Sequence, residues 1–204
     1  MRSILKFLSI VLFFASCSHL SEEERLVYVK PTAVNRHVLI EDLTGQRCVN
    51  CPYANDEIIR LQELYGEDAV VAVGIHCGPL AFYTNNSFTG LRTETGDEYY
   101  KHWSPAYQPI GMVNRHGLSD HTSWNGLLRE QFGQLAKIDI QAVANIEGNI
   151  LTVRSSLKGT DGDTRGKYQL WLLEDSVTAF QQLPDGTTDK TYLHRHVFRT
   201  AING

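Results

Sequence analysis

Two apolar segments enclose one amphipathic segment in the first half of the chain. The segments "HVLIEDLTG" (37–45) and "DAVVAVGIHCG" (68–78) are typical of buried strands, and the second is rich in β-branched residues. Between them, apolar residues recur at helical spacing. These are Ala54, Ile58, Leu61, Leu64 and Tyr65. A strand, a helix and a strand at this length predict a βαβ unit with a parallel sheet.

A C-x-x-C pair opens the predicted helix. Cys48 and Cys51 follow the first strand, and Pro52 falls in the first helical turn, where its missing N–H costs nothing. Unpaired N–H groups and the helix dipole stabilise a thiolate there, and Arg47 adds positive charge. We therefore expect Cys48 to be the exposed nucleophile and Cys51 the more buried resolving thiol.

The pair also has two other interpretations. A permanently oxidised structural disulfide would suit an exported protein equally well. In a parallel sheet His76 and Cys77 approach the same edge, and with the pair they would make a zinc or copper set. This spacing is not a recognised metal pattern, so we predict no metal and no cofactor. Cys77 alone reads as a small buried apolar residue or, close to Cys48, as a third redox thiol.

A βαβ unit with C-x-x-C at its helix start resembles the thioredoxin superfamily. Asp42 lies six positions before Cys48, as the buried carboxylate of that family does, and Pro109 in "YQPIGMVNR" matches its cis-proline. The resemblance implies that Asp42 exchanges the resolving proton and that Pro109 shapes a substrate groove. Arg47 and the dipeptide Val49-Asn50 depart from the family pattern. The segment "TSWNGLLREQFGQLAK" would be the closing helix, capped by Thr122 or Ser123.

A narrower resemblance covers nearly the whole mature chain. It rests on the segments "VLIEDLTGQRCVNCPYA", "GIHCGPLA", "PIGMVNR" and "HRHVFRTAING". Together they resemble the Bacteroidetes family typed by a 28-kDa outer-membrane lipoprotein. The resemblance implies an outer-membrane location with a lipid anchor, and it leaves open whether the protein faces the periplasm or the cell surface.

The N-terminus predicts export. Positive residues precede the short apolar run "FLSIVLFFA", and small residues lead directly to Cys17, which resembles a bacterial lipobox. We predict a signal peptide over 1–16 and a tether over 17–34, with lipid (palmitate) on Cys17 holding the protein on a membrane. An ordinary signal peptide with Cys17 merely nearby is the alternative. The acidic run 22–24 suits either a surface-export signal or a solvated tether.

Charge restricts the partners. Removing residues 1–16 takes away Arg2 and Lys6 but no acid, so the formal charge goes from −4 to −6. A mildly acidic chain without a basic cluster lacks the positively charged surface that binds nucleic acid. The partners we expect are the membrane, through lipid on Cys17, and exported thiol proteins.

From residue 138 the pattern changes to strand alternation. Three strands and a fourth, "TYLHRHVFRTAI", predict an antiparallel Ig-like β-sandwich module over 138–204, after a thioredoxin-like α/β domain over 35–137. Four strands are half a sandwich, so we expect an incomplete module, truncated or completed by a partner. His194 and His196 would share one strand face, as metal ligands or as an exposed polar face.

Two functions fit these features. The first is thiol–disulfide exchange on exported proteins, with Cys48 attacking. The second is a non-catalytic surface-binding or structural lipoprotein with a static disulfide. The reduction behaviour of the Cys48–Cys51 pair separates them.

Overall fold

The protein has a mixed α/β fold with one six-stranded mixed sheet and two two-stranded antiparallel sheets. The structure, a computed structural model, describes residues 36–160 and 163–203. The predicted signal peptide (1–16) and the tether (17–34) with Cys17 lie outside the described residues. In chain order the elements are β1 (Val38–Thr44), α1 (Cys51–Tyr65), β2 (Val70–His76), α2 (Glu94–Trp103), β3 (Ile110–Val113), β4 (Leu118–Ser119), α3 (Trp124–Phe132), β5 (Ile138–Glu147), β6 (Ile150–Gly159), β7 (Trp171–Glu174), β8 (Val177–Gln182), β9 (Thr188–His194) and β10 (Val197–Ala201).

The predicted βαβ unit is confirmed. β1 and β2 pair in parallel, in register from Val38 opposite Val70 to Thr44 opposite His76. Helix α1 connects them and buries the apolar face that its spacing predicts, and Gly66 ends it with a φ of 99°. This unit fixes the cysteine pair at one edge of the sheet, where β1 ends and α1 begins.

β3 and β4 extend the sheet beyond β1. β3 runs antiparallel to β1, and β4 runs antiparallel to β3. Gly111 allows Trp124 of α3 to close over this part of the sheet, because a Cβ at position 111 would lie 2.6 Å from the Trp124 ring and 2.5 Å from the Glu41 carbonyl oxygen. The cap of the closing helix differs from the prediction, since the side chain of Ser123 makes no capping hydrogen bond.

The C-terminal strands differ from the predicted organisation. β10 pairs in parallel with β2 and β7 pairs with β10, so two strands from the range 138–204 complete the sheet of the preceding range. The predicted fourth strand is two strands, because the chain turns at His196, which has a φ of 52°. β9 therefore pairs with β8, while the fully buried Val197 and Phe198 of β10 pack beside β2.

The β5–β6 hairpin is the most exposed part of the fold. Its ten-residue strands pair only with each other among the described strands. One face carries Ile140, Ile146 and Leu157, which are 57%, 70% and 45% exposed. A two-stranded hairpin with so little buried surface has little tertiary stabilisation.

We expect the β5–β6 amides to exchange with solvent about 100-fold faster than those of β1 and β2, because local opening of an exposed hairpin needs less free energy than opening a central strand pair. Hydrogen exchange followed by mass spectrometry at neutral pH measures this. Equal protection of the two pairs would show that β5–β6 opens only with the whole fold.

Candidate functional site

The cysteine pair lies in the turn between β1 and α1. Cys48 and Cys51 form a disulfide with their Cα atoms 5.3 Å apart. The Cys48 amide donates to the Gly45 carbonyl oxygen at 3.0 Å, and the Cys51 amide donates to the Cys48 carbonyl oxygen at 3.2 Å. Helix α1 begins at Cys51, so Cys48 sits in the turn before the helix and not in its first turn.

The predicted exposure of Cys48 is wrong. Cys48 and Cys51 are each only 3% exposed. The hairpin of β8 and β9 (177–194), which we call the cover hairpin, lies over the turn. Gln181, itself buried, donates from Nε2 to the Cys48 carbonyl oxygen at 2.9 Å. The Gln182 amide donates to the Gln46 carbonyl oxygen at 2.8 Å.

Gln46 connects the cysteine turn to the 82–91 loop and to the cover hairpin. Its side chain is fully buried and donates from Nε2 to the carbonyl oxygens of Thr89 at 3.0 Å and Phe180 at 3.3 Å. Its Oε1 accepts from the Leu91 amide at 3.0 Å. A buried amide with all these partners holds the cysteine turn, the 82–91 loop and the cover hairpin together.

Three aromatic rings from the 82–91 loop and the cover hairpin pack together beside the cysteine turn. Phe82, Phe88 and Phe180 pack with ring centroids 5.2 to 5.5 Å apart. The Arg47 guanidinium of the cysteine turn lies 5.6 Å from the Phe82 centroid. The aromatic cluster therefore links the 82–91 loop to the cover hairpin next to the cysteine turn.

A small cavity with mixed polar and apolar lining lies beside Cys51, between α1, the sheet and the cover hairpin. Its volume is about 30 Å³, which has room for one or two water molecules. Cys51, Asp42, His76, Tyr192 and His194 are among its lining residues. The structure therefore brings predicted Asp42 and Cys51 together with His76, which the sequence also placed at this edge. It adds Tyr192 and His194, which sequence reasoning did not group with them.

Asp42 is an acid in an unfavourable environment. It is 3% exposed, and Oδ1 has no hydrogen-bond partner among the described residues. Burial raises the pKa of Asp42 from 3.8 to about 7, against a smaller lowering by the Thr44 hydrogen bond. Near neutral pH this carboxyl group can therefore hold or release a proton.

Two buried histidines join the sheet to the cover hairpin. His76 Nε2 lies 3.2 Å from His194 Nδ1, and the rings meet edge to face. The outer nitrogens, His76 Nδ1 and His194 Nε2, have no partner among the described residues. The predicted sharing of a face by His194 and His196 is wrong: His196 lies in the turn beyond β9 and contacts Gln62 at 3.2 Å.

Pro109 directly precedes β3, which pairs with β1. The Gln108–Pro109 peptide bond is cis. Gln108 Nε2 donates to the Thr44 carbonyl oxygen at 2.9 Å and to the Cys77 carbonyl oxygen at 3.2 Å. These bonds hold the proline segment against the strand that leads into the cysteine turn.

Cys77 belongs to the core. It is fully buried in an apolar cluster with Leu43 and Ile110, and burial raises the pKa of its thiol. This agrees with the apolar interpretation of Cys77. In the described part of the chain, no group of three or more His, Cys, Asp or Glu side chains is arranged to hold a metal ion.

Comparison with known proteins gives the family. The family model for the outer-membrane protein Omp28 matches residues 96–204, more than half of the chain. The chain belongs to the Omp28 family. The family places this protein in the outer membrane, as predicted. Within residues 36–160 and 163–203, no helix has the length and apolar character needed to cross a bilayer.

The fold of this Omp28-family chain is similar to that of HBP35 of Porphyromonas gingivalis, with a TM-score of 0.63 and 17% sequence identity. The similarity covers 84% of this chain and 58% of that chain, so this chain spans less than two thirds of the neighbour's length. At this identity the similarity shows the fold alone. None of the curated proteins matches.

Proposed function

We propose that this outer-membrane protein is a thioredoxin-like, non-catalytic scaffold that is anchored through lipid on Cys17. Its Cys48–Cys51 disulfide stays oxidised while the cover hairpin is in place. The β1–α1–β2 unit, the cysteine turn, buried Asp42 and Pro109 support the thioredoxin-like assignment over 35–137. The burial of Cys48 and Cys51 beneath the cover hairpin carries the non-catalytic assignment.

The chemical reason is access. Thiol–disulfide exchange requires a thiolate to reach one sulfur of the disulfide. Here Cys48 and Cys51 are each 3% exposed, and the Gln181 side chain donates a hydrogen bond to the Cys48 carbonyl oxygen. An attacking protein thiol would need the cover hairpin to move first.

A reduction assay tests this proposal. In glutathione buffers at pH 7.5, we expect the native disulfide to be reduced at least about 100-fold more slowly than in the urea-denatured chain, because access requires opening of the cover. Trapping free thiols with a maleimide and counting them by mass gives the rate. Equal native and denatured rates would overturn the proposal.

A matched pair of variants tests whether the cover hairpin is what slows reduction of the disulfide. We expect Gln181→Ala to speed native reduction roughly tenfold, because it removes the hydrogen bonds from the cover to the cysteine turn. Gln141→Ala, on exposed β5, should leave the rate unchanged. Equal rates in the two variants would mean that the cover hairpin is not what protects the disulfide.

Thiol–disulfide exchange is the second candidate, favoured by Asp42 in the cavity that also contains Cys51. With the cover displaced, a thiolate of an exported protein would attack Cys48 Sγ and form a mixed disulfide. Cys51 would leave as a thiolate and take the proton that Asp42 holds. Oxidation of a reduced protein dithiol by the native chain, lost in Cys48→Ser, would favour this candidate.

A further inference from the structure

The cover hairpin is attached by two sets of contacts. On the β8 side, Gln181 and Gln182 bond the cysteine turn. On the β9 side, Tyr192 accepts from Asn55 of α1 at 3.1 Å, and His194 contacts His76 of β2. The His76–His194 contact is made of two titratable side chains, 4% and 5% exposed.

The surroundings of this pair offer a buried cation little compensation. The titratable and charged groups on the elements packed around it are Asp42 on β1, Asp56 on α1, Glu67 after α1, Asp175 before β8, Asp189 and Tyr192 on β9, Arg195 and His196 in the following turn, and Arg199 on β10. Among the residues that line the cavity, Asp42 carries the carboxyl group, and it takes up a proton as the pH falls through about 7. Asp189 also raises the pKa of His194, but less than burial lowers it. Arg199 and Arg195 add positive charge.

We propose that the His76–His194 pair is an acid-operated latch, whose protonation releases the cover hairpin and exposes the Cys48–Cys51 disulfide. The first proton creates a buried imidazolium whose outer nitrogen makes no hydrogen bond within the described residues. The backbone carbonyls of Gly74, Ala179 and Phe180 raise the pKa of the pair, but burial outweighs them. The second places hydrogens on both facing nitrogens, so the 3.2 Å contact can no longer be a hydrogen bond. This inference rests on the proposed function, since it needs a disulfide that the closed cover protects.

The direction of the pH effect follows from proton linkage. Burial lowers the pKa of His194 to about 4, and burial together with the His194 charge lowers the pKa of His76 well below 6.5. The closed state therefore favours neutral imidazoles, and an open, solvated state binds protons more tightly. The two histidines hold the cover at full strength above pH 6.5, and their contribution is lost as the pH falls from there towards the closed-state values. For His194, with a closed-state pKa of about 4, the rise of the open fraction at pH 5.0 is about 30-fold. Asp42 acts in the opposite sense wherever opening exposes it, because its closed-state pKa is about 7, so the histidine contribution is measured in the Asp42→Asn protein.

Reduction by tris(2-carboxyethyl)phosphine tests the latch, because this reagent needs no thiolate. The phosphine becomes its oxide with oxygen from water, and the disulfide becomes two thiols that a maleimide labels. The reduction rate of the folded Asp42→Asn protein, the parent of the variants below, is divided at each pH by the rate of the same protein denatured in urea, which removes the pH dependence of the phosphine. From pH 7.5 to 5.0 we expect this ratio to rise at least about 30-fold.

Variants assign the rise to the pair. We expect His76→Gln with His194→Gln to reduce it to less than about threefold, because glutamine keeps hydrogen-bonding capacity but does not titrate. His194→Gln alone should retain the part of the rise that comes from His76. The matched control His116→Gln changes an exposed histidine of the β3–β4 turn and should behave as its parent protein.

Each outcome supports or overturns the latch. A ratio that is low and independent of pH overturns the latch but leaves the protected disulfide intact. A ratio near one at pH 7.5 overturns the proposed function itself. A rise of the ratio that the double variant shares assigns the effect to another titratable group and overturns the latch. A rise accompanied by loss of the fluorescence of buried tryptophan at pH 5.0 indicates global unfolding and also overturns the latch. If the double variant already has a high rate ratio at pH 7.5, the pH dependence of the ratio in His194→Gln decides the question. A rise smaller than that of the parent protein supports the latch, and an equal rise overturns it.

Discussion

Replacing Asp42 with asparagine is expected to raise the free energy of unfolding by about 4 kcal/mol at pH 8 and by little at pH 4. Burial raises the pKa of the Asp42 carboxyl group to about 7, so the folded state favours the protonated acid. In the unfolded chain the acid ionises near its usual pKa of 3.8. Native stability therefore falls as the pH rises from about 4 to 7, and an uncharged asparagine escapes that loss. Urea denaturation of both proteins at the two pH values measures the difference.

Asp139→Asn is the matched control, because Asp139 is exposed on β5. It should change the free energy of unfolding by less than about 0.5 kcal/mol at both pH values. If Asp42→Asn keeps the native pH dependence, the carboxyl group is not the acid that weakens the fold at high pH. A stabilised Asp42→Asn protein would show that the chain carries a costly acid beside its disulfide, as functional sites often do.

The β1–α1–β2 unit could be predicted because its signals are local. Strand, helix and strand each have a clear apolar period, and Pro52 and Gly66 mark the two ends of α1. Such features depend on neighbouring residues, which a sequence displays directly.

The cover hairpin was missed, and with it the burial of Cys48. The segment "LPDG" (183–186) is a hairpin signal that could have revealed the turn between β8 and β9. However, the inward positions of these strands include Gln181 and His194, whose polar groups find partners 133 and 118 residues away. An alternation rule that looks for apolar inward residues cannot recognise such positions.

The place of β10 in the main sheet was missed for a related reason. "TYLHRHVFRTAI" alternates without interruption, so it reads as one strand. The turn at His196 becomes visible only in three dimensions, where its carbonyl oxygen accepts from the Gly74 amide at 2.9 Å. Strand pairing between residues more than 100 positions apart leaves no local pattern.

Replacing Arg115 with methionine is expected to lower the free energy of unfolding by about 3 kcal/mol. The Arg115 guanidinium makes a two-pronged contact with Glu41, at 3.0 Å to each carboxylate oxygen. The Glu41 side chain is fully buried on β1, so removing the cation leaves a carboxylate with neither water nor a counter-charge. The guanidinium also lies over the rings of Trp171 and Tyr99, at 5.2 and 5.6 Å, and methionine loses these contacts. Urea denaturation at pH 7 measures the loss.

Two further variants separate the buried charge from the loss of packing. Arg199→Met removes the same side chain from a surface pair with Glu174, which is 54% exposed, and should cost less than about 1 kcal/mol. Adding Glu41→Gln to Arg115→Met should recover roughly 1 to 2 kcal/mol, because a neutral amide is easier to bury than a carboxylate. If Arg115→Met costs no more than Arg199→Met, the buried carboxylate has found another partner and the pair does not hold β1 to the β3–β4 turn. If the double variant recovers nothing, the loss comes from the aromatic contacts and the charge contributes little.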